Sequence, residues 1–295
     1  GNWRAEHVVV ASGANNIASV PRFADALPAQ IAQLTPMEYK NPAQLRPGGV
    51  LVVGGSATGV QLAAELRGAG HDVILSTGEH IRAPRHYRGR DIQWWMDVTG
   101  LHATPISEVD DLDRVRRLPS LQLVGRPAPR FADLNALQAQ GVEITGRLAT
   151  VQDGVAKFSG ALANHCALSD LKLTRLLMVL DAWVETSGQP NLPPSERFEP
   201  TRVPATPRLS LDLHSGRIAT VLWATGFRPD HDWIDLQVFD RKGRLIHDGG
   251  TVAPGLFVLG LPFMRHRNSA LIDGVGQDAR YVADLICRNR HTNAA

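Results

Sequence analysis

The chain has 295 residues, of which 43% are hydrophobic and 20% charged, which is typical of a soluble globular protein long enough for two domains. A net charge of +2 gives no electrostatic reason to expect a nucleic acid or an anionic membrane as partner. No apolar run approaches the ~18 residues of a membrane span, no secretory signal is visible, and Cys166 and Cys287 stand alone. We therefore expect no dithiol redox pair, no cysteine-built zinc site and a cytoplasmic location.

The most informative stretch runs from Gly49 to Leu75. Its pattern predicts an apolar strand over Val50–Val53, a glycine turn, a helix to about Gly68 and a second strand over Asp72–Leu75. A strand, glycine turn, helix and strand form one parallel crossover unit, which is the minimal device for holding a dinucleotide pyrophosphate.

The turn itself carries the expected chemistry. A pyrophosphate can reach the free N–H groups at a helix start only where side chains are small. Gly54 permits the sharp turn, Ser56 stands where the second glycine of the fingerprint normally lies, and Gly59 allows the helix to pack on the strand. The predicted pyrophosphate contacts are Gly54, Gly55, Ser56, Ala57, Thr58 and Gly59.

Two alternatives use the same residues. The glycines could serve tight packing alone. The turn also resembles an imperfect nucleophile elbow in which Ser56 would attack an acyl group. That hypothesis needs a histidine, and the candidates are His214, His247 and His266.

The residues after the second predicted strand bear on cofactor choice. NAD sites place an acid there for the ribose hydroxyls, whereas NADP sites use basic or hydroxyl groups for the 2′-phosphate. Ser76 and Thr77 end the strand and Arg82 follows, so the sequence favours NADP over NAD. In the alternative interpretation Glu79 is the ribose acid and most of the arginines belong to a solvated loop.

Elsewhere the pattern predicts packing elements and linkers. Two proline-rich segments, 21–47 and 189–208, are interpreted as linkers. Trp94, Trp95 and Met96 are expected in a core. The remaining expected elements are a helix near 131–140, a hairpin across Asp153-Gly154, a helix over Ser169–Thr186, and a hairpin of Leu209–Leu213 with Ile218–Trp223 over Ser215-Gly216.

Two apolar strands with the same ending bracket the middle of the chain. The first ends at Ala11-Ser12-Gly13 and the second at Ala224-Thr225-Gly226, which predicts one domain inserted into another. A strand at 255–260 and a helix near 277–287 follow. Because Gly274 and Gly276 precede that helix, its start could receive the oxygens of a flavin ring, or Asp278 could simply stabilise its first turn.

Taken together, these blocks resemble the flavin-containing monooxygenase-like group of two-dinucleotide-binding flavoproteins. The resemblance rests on the two bracketing strands, on 51–59, on Ala224–Asp230, and on 254–260 with 274–279. It implies an α/β fold in which a three-layer, Rossmann-like NAD(P)-binding domain is inserted into an incomplete FAD-binding domain of the same type. The implied domains are 1–46 (crossover strand and linker), 47–205 (NAD(P) domain) and 206–295 (C-terminal part of the FAD domain).

The same resemblance implies hydride transfer from NADPH to flavin, with Arg82 as the 2′-phosphate partner. It also implies cofactor contacts at Ser76, Gly13, Gly226, Gly260 and Asp278, and a small-molecule substrate. Two features depart from the family pattern. The FAD-binding G-x-G-x-x-G loop is missing before Ala11, so FAD should bind only if a preceding segment or a partner chain supplies it. The F-x-G-x-x-x-H stretch is also missing, since Leu27–Gln33 keeps none of its defining residues.

The sequence therefore predicts the larger, C-terminal part of an NADPH- and FAD-dependent oxidoreductase of monooxygenase type. No side chain stands out as a general acid or base. The alternative from another class is a nucleotide-binding or regulatory module without turnover.

Overall fold

The computed structural model describes residues 1–123, 131–188 and 191–293. Its α-helices are α1 (Ala57–Gly68), α2 (Ile92–Val98), α3 (Leu112–Val115), α4 (Leu134–Ala139), α5 (Leu162–Ser187) and α6 (Val275–Asn293). Its first nine strands are β1 (Val8–Val10), β2 (Ile17–Ala18), β3 (Ala32–Leu34), β4 (Gly49–Val53), β5 (Val73–Ser76), β6 (Ile81–Arg82), β7 (His86–Tyr87), β8 (Arg90–Asp91) and β9 (Leu121–Gln122). The remaining strands are β10 (Glu143–Thr145), β11 (Leu148–Gln152), β12 (Val155–Phe158), β13 (Ser210–Asp212), β14 (Ile218–Trp223), β15 (Phe227–Arg228), β16 (Thr251–Ala253) and β17 (Leu256–Val258).

The chain divides into two compact units. The central unit contains Ala18–Trp95 and Pro119–Gly226, and the terminal unit contains Gly1–Ile17, Met96–Leu118 and Phe227–Ala295. These bounds differ from the predicted domains. Segments 18–46 and 206–226 belong to the central unit because each contributes a strand to its parallel sheet. Segment 96–118 belongs to the terminal unit.

The central unit is built on a five-stranded parallel sheet in the order β10-β5-β4-β14-β3. Val50 and Val52 of β4 face a helical layer that includes Val60 and Leu66 of α1. Leu51 and Val53 face the opposite side. There the second core contains residues of the antiparallel sheet β11-β12-β13. Since β4 is covered on both faces, it is apolar throughout, as parallel strands usually are.

The predicted crossover unit is confirmed. The strand β4, the helix α1 and the strand β5 follow one another, and β4 pairs in parallel with β5. The antiparallel pair β11–β12 confirms the turn at Asp153-Gly154, where both residues have positive φ. Trp95 and Met96 are buried, as predicted, and Trp94 packs edge-on against Trp95.

The predicted hairpin of 209–213 with 218–223 is wrong. Strand β13 pairs with β12, whereas β14 lies between β4 and β3 and runs parallel to both. The physical reason is burial, because the apolar β14 suits a sheet covered on both faces and β13 exposes alternate residues. The first proline-rich segment is likewise more than a linker, since β3 forms an edge of the same sheet. Of the second, residues 189–190 lie outside the described residues, and the rest contains no helix or strand before β13.

The terminal unit contains a three-stranded sheet in which β1 pairs in parallel with β17 and β16 pairs antiparallel with β17. Val10, Val258 and Met264 belong to its core. The last helix, α6, begins at Val275, so Gly276 lies inside it and does not precede it. Within the described ranges, no helix combines the length and apolar character needed to cross a membrane.

Candidate functional site

The glycine turn between β4 and α1 has no room for side chains at its three glycines. Gly54 has a φ of +115°, and a Cβ there would overlap the carbonyl oxygen of Ala224. A Cβ on Gly59 would overlap the Gly54 carbonyl, and one on Gly55 would overlap the Thr77 hydroxyl. The start of α1 can therefore pack directly on the strand ends, which requires glycine at these positions.

The helix start itself leaves its N–H groups available. Ser56 is the N-cap, with extended backbone (φ −82°, ψ −171°), but its side chain makes no capping hydrogen bond. The first turn of α1 carries no acidic residue. The first four N–H groups of a helix have no partner inside the helix, and the dipole there favours a negative charge. Ser56, Ala57 and Thr58 are partly exposed, so a ligand can reach them.

One side chain that the sequence analysis missed orients this turn. Gln122 is buried, and its Nε2 donates to the carbonyl oxygen of Gly55 at 2.6 Å. Because the peptide group is planar and trans, fixing this carbonyl also directs the N–H of Ser56 the opposite way. Gln122 lies 67 positions from Gly55 along the chain, so no local pattern could have revealed the contact.

Ser76 links the end of β5 to the loop between β10 and β11. Its buried hydroxyl donates to the carbonyl oxygen of Gly146 at 3.0 Å and accepts from the N–H of Leu148 at 2.8 Å. The hydroxyl is thus already used by the loop between β10 and β11. Its predicted contact with a cofactor stays untested.

Arg82 is placed in the interior. Its guanidinium donates to Asp133 at 2.6 Å, to Asp170 at 2.9 Å and to the carbonyl oxygen of Glu199 at 2.7 Å. It also lies 5.0 Å from the centre of the Phe131 ring, and the residue is only 4% exposed. The role of Arg82 as a 2′-phosphate ligand stays a prediction, but this geometry favours a structural role.

The predicted residues of the terminal unit fall in two places. Gly13 and Gly260 both have positive φ and lie next to each other. Asp278 lies in the first turn of α6 and is fully buried. Gly226, which closes the central unit, also has positive φ and accepts a backbone hydrogen bond from Ser19.

Asp278 has a charged neighbour but, within the described residues, not the hydrogen bonds that a buried carboxylate needs. Neither of its oxygens has a hydrogen-bond partner among the described residues. Arg265 Nη1 pairs with Asp278 Oδ1 at 3.8 Å, and His266 Nδ1 lies 3.7 Å from the same oxygen. His247 is also near, and burial, together with the charge of Arg116, lowers its pKa, while Asp248 and Asp278 act in the opposite direction. The site therefore offers two acceptor oxygens to a ligand that carries donors.

The structure does not support the hydrolase hypothesis, in which a histidine must activate Ser56. Within the described part of the central unit, no hydrogen bond links Ser56 to a histidine, and His214 instead lies 3.4 Å from Gln30. The described residues also hold no group of three histidine, cysteine or carboxylate side chains suited to a metal ion.

Comparison with known proteins places this geometry in context. No protein-family model matches the chain. It is 30% identical over 289 residues to a protein named "Uncharacterized oxidoreductase CzcO-like" from Geobacillus kaustophilus, covering 97% of this chain and 66% of that protein. It is 27% identical over 284 residues to "Uncharacterized oxidoreductase CzcO" from Bacillus subtilis, covering 95% and 65%. The chain thus spans just under two thirds of the length of these curated relatives.

Solved structures show a similar fold. The flavin-containing monooxygenase from Stenotrophomonas maltophilia superposes with a TM-score of 0.57 at 16% identity, covering 96% of this chain and 62% of that one. A double mutant of a flavin monooxygenase from the same organism gives a TM-score of 0.55 at 18% identity, covering 95% and 62%. The resemblance inferred from the sequence is confirmed: the chain is similar over nearly its whole length to CzcO-like oxidoreductases, and it has the α/β fold of solved flavin monooxygenases.

Proposed function

We propose that this chain takes part in hydride transfer from NADPH to FAD, in an oxidoreductase of flavin monooxygenase type acting on a small-molecule substrate. In this proposal the central unit is a Rossmann-like NAD(P)-binding domain inserted into the FAD-type terminal unit. The glycine turn carries the proposal, because three positions there exclude any side chain and the adjoining helix start has neither an acid nor a side-chain cap.

The residues of the turn fit a nucleotide diphosphate. The N–H groups at the start of α1 would hold the pyrophosphate, with Gln122 keeping the Gly55 peptide in the required orientation. The glycines bring the start of α1 close to the ends of β4 and β5, so that its N–H groups would lie at the edge of the sheet where a dinucleotide binds.

The terminal unit fits a flavin in a different way. Asp278 would accept hydrogen bonds from donors of the flavin group, since its oxygens are buried and accept no hydrogen bond within the described residues. An electronegative ring atom at the same helix start would be repelled by this carboxylate. When both cofactors are bound, they supply the redox chemistry, and the protein supplies binding and orientation.

The pyrophosphate assignment is tested by Ser56→Asp. An aspartate at this N-cap should bond the free N–H groups and repel the diphosphate, while maintaining or raising the thermal stability. We expect the affinity for NADPH, measured by isothermal titration, to fall about 10- to 100-fold, as for the loss of a charge-assisted hydrogen bond.

The matched control is Gln152→Glu, which adds the same charge on an exposed residue of β11 next to the 153–154 turn. That turn contacts His214, which precedes β14 and so lies at the opposite end of the parallel strands from the glycine turn. Its affinity for NADPH should equal that of the wild type. Unchanged binding in Ser56→Asp would overturn the assignment.

The redox part of the proposal needs a second measurement. Because the FAD-binding loop is missing before Ala11, FAD is kept in large excess, and the chain should accelerate the anaerobic bleaching of flavin absorbance by NADPH. No acceleration by a chain that still binds NADPH would contradict flavin reduction by this chain and support a nucleotide-binding module without turnover.

A further inference from the structure

The end of β5 is where a crossover nucleotide site distinguishes NADP from NAD. The adenosine ribose lies beyond this strand end, next to the glycine turn. Here the two are in direct contact, because the Thr77 hydroxyl occupies the space beside Gly55. Gly78 follows Thr77 and is the next position that a bound ribose would meet.

Arg147 lies over Gly78. The Cβ and Cδ atoms of Arg147 are each 3.3 Å from the position that a Cβ on Gly78 would take, so the arginine stem covers this glycine. The backbone on both sides of Arg147 is fixed, because the Ser76 hydroxyl bonds to Gly146 and to Leu148. The residue is exposed, and its side chain makes no ion pair within the described ranges.

The two charged residues that the sequence offers for the ribose or its phosphate, Arg82 and Glu79, are already engaged. Arg82 is buried between Asp133 and Asp170. Glu79, the alternative ribose acid, pairs with Lys172 at 2.6 Å, which neutralises its charge. Arg147 therefore combines a fixed backbone, an exposed guanidinium and a position over Gly78.

We infer that Arg147 selects NADPH over NADH by pairing with the 2′-phosphate of the adenosine ribose. This inference rests on the proposed function of the glycine turn. A planar guanidinium can donate two parallel hydrogen bonds to a phosphate, and NADH offers no such group at that position. Forming this pair would not require the fold to rearrange, because the stem of Arg147 already lies over Gly78.

The test compares Arg147→Gln with the wild type, using NADPH, NADH and 2′,5′-ADP as titrants. We expect the affinities for NADPH and 2′,5′-ADP to fall about 10- to 100-fold and that for NADH to stay unchanged. The affinities of Arg147→Lys for NADPH and 2′,5′-ADP should lie between those of the wild type and of Arg147→Gln. Lysine keeps the positive charge but cannot donate the two parallel hydrogen bonds of a guanidinium. Thermal stability should not change, since the guanidinium is exposed.

Arg46→Gln is the matched control. Arg46 is also exposed, but it precedes β4 and so lies at the opposite end of the parallel strands. Its NADPH affinity should equal that of the wild type. An equal loss for NADPH and NADH in Arg147→Gln, or no loss for NADPH, would overturn the inference and leave the proposed function standing. A wild-type chain that binds neither nucleotide would overturn both.

Discussion

Two buried aspartates, each at the start of a helix, are treated in opposite ways by this protein. Asp133 caps α4 by accepting from the N–H of Ala136 at 2.9 Å and pairs with Arg82 at 2.6 Å. Asp278, in the first turn of α6, is even more deeply buried, yet neither oxygen has a hydrogen-bond partner among the described residues.

This difference shows which carboxylate the fold itself needs. A buried carboxylate is stable only when it is paired and hydrogen-bonded, so Asp133 belongs to the architecture of the central unit. Asp278 has uncommitted acceptors, which is the property expected of a ligand-binding group. The start of α1 is a third case, because it carries no carboxylate and leaves its N–H groups to an anion.

The largest effect on the free energy of unfolding is expected from removing Arg82, which pairs with both Asp133 and Asp170. Arg82→Met would leave Asp133 and Asp170 facing each other without their cation, at a cost of about 3–5 kcal/mol in the free energy of unfolding. Urea denaturation followed by circular dichroism measures this loss. The control is Lys172→Met, which breaks an exposed ion pair with Glu79 and should cost about 0–1 kcal/mol. Similar small losses in both variants would show that Asp133 is not held by Arg82.

The next prediction compares the two aspartates directly. Asp133→Asn should lower the free energy of unfolding by about 1–3 kcal/mol, because a charged hydrogen bond to Arg82 is lost. Asp278→Asn should not lower it, since this carboxylate accepts no hydrogen bond within the described residues and the change removes a buried charge. Equal losses in the two variants would contradict the distinction. With FAD present, Asp278→Asn should reduce the thermal stabilisation by the cofactor. Asp133→Asn should not reduce it by loss of a contact, because in this proposal Asp133 does not contact FAD.

The smallest effect concerns acid stability near Asp278. Burial lowers the pKa of His247, so the unfolded chain takes up a proton near its ordinary pKa of ~6.5 while the folded chain resists it. Stability should therefore fall as the pH drops through this value, by at most about 1.4 kcal/mol per pH unit from this group. His80 and His231, whose pKa values burial also lowers, contribute in the same direction.

His247→Asn should flatten the difference between urea midpoints measured at pH 7.5 and 5.5. The matched variant is His214→Asn, since that ring is exposed, and it should keep the wild-type difference. If both variants keep the wild-type difference between the two urea midpoints, the lowered pKa of His247 does not contribute to the loss of stability in acid.

How far the sequence could be interpreted depended on the distance between interacting residues. The unit β4–α1–β5 was predictable because its strand, glycine turn and helix periodicity lie within one short segment. The pairing of β14 with β4 was not predictable from local pattern, since Val221 and Leu51 are far apart in the chain and a hairpin looked equally satisfactory. The contact of Gln122 was not predictable for the same reason, because a single glutamine in a sequence does not indicate which distant carbonyl it binds.

By itself, the sequence determined the glycine turn and the helix that follows it, because small residues and apolar periodicity act through neighbours in the chain. Only the tertiary structure decided how the charges are used. It placed Arg82, in β6, between the buried Asp133 and the partly buried Asp170, and it brought Arg147, in the loop between β10 and β11, onto Gly78. Desolvation is the physical reason, because a guanidinium enclosed by the fold must be paired, whereas one at the rim can stay free until a ligand arrives.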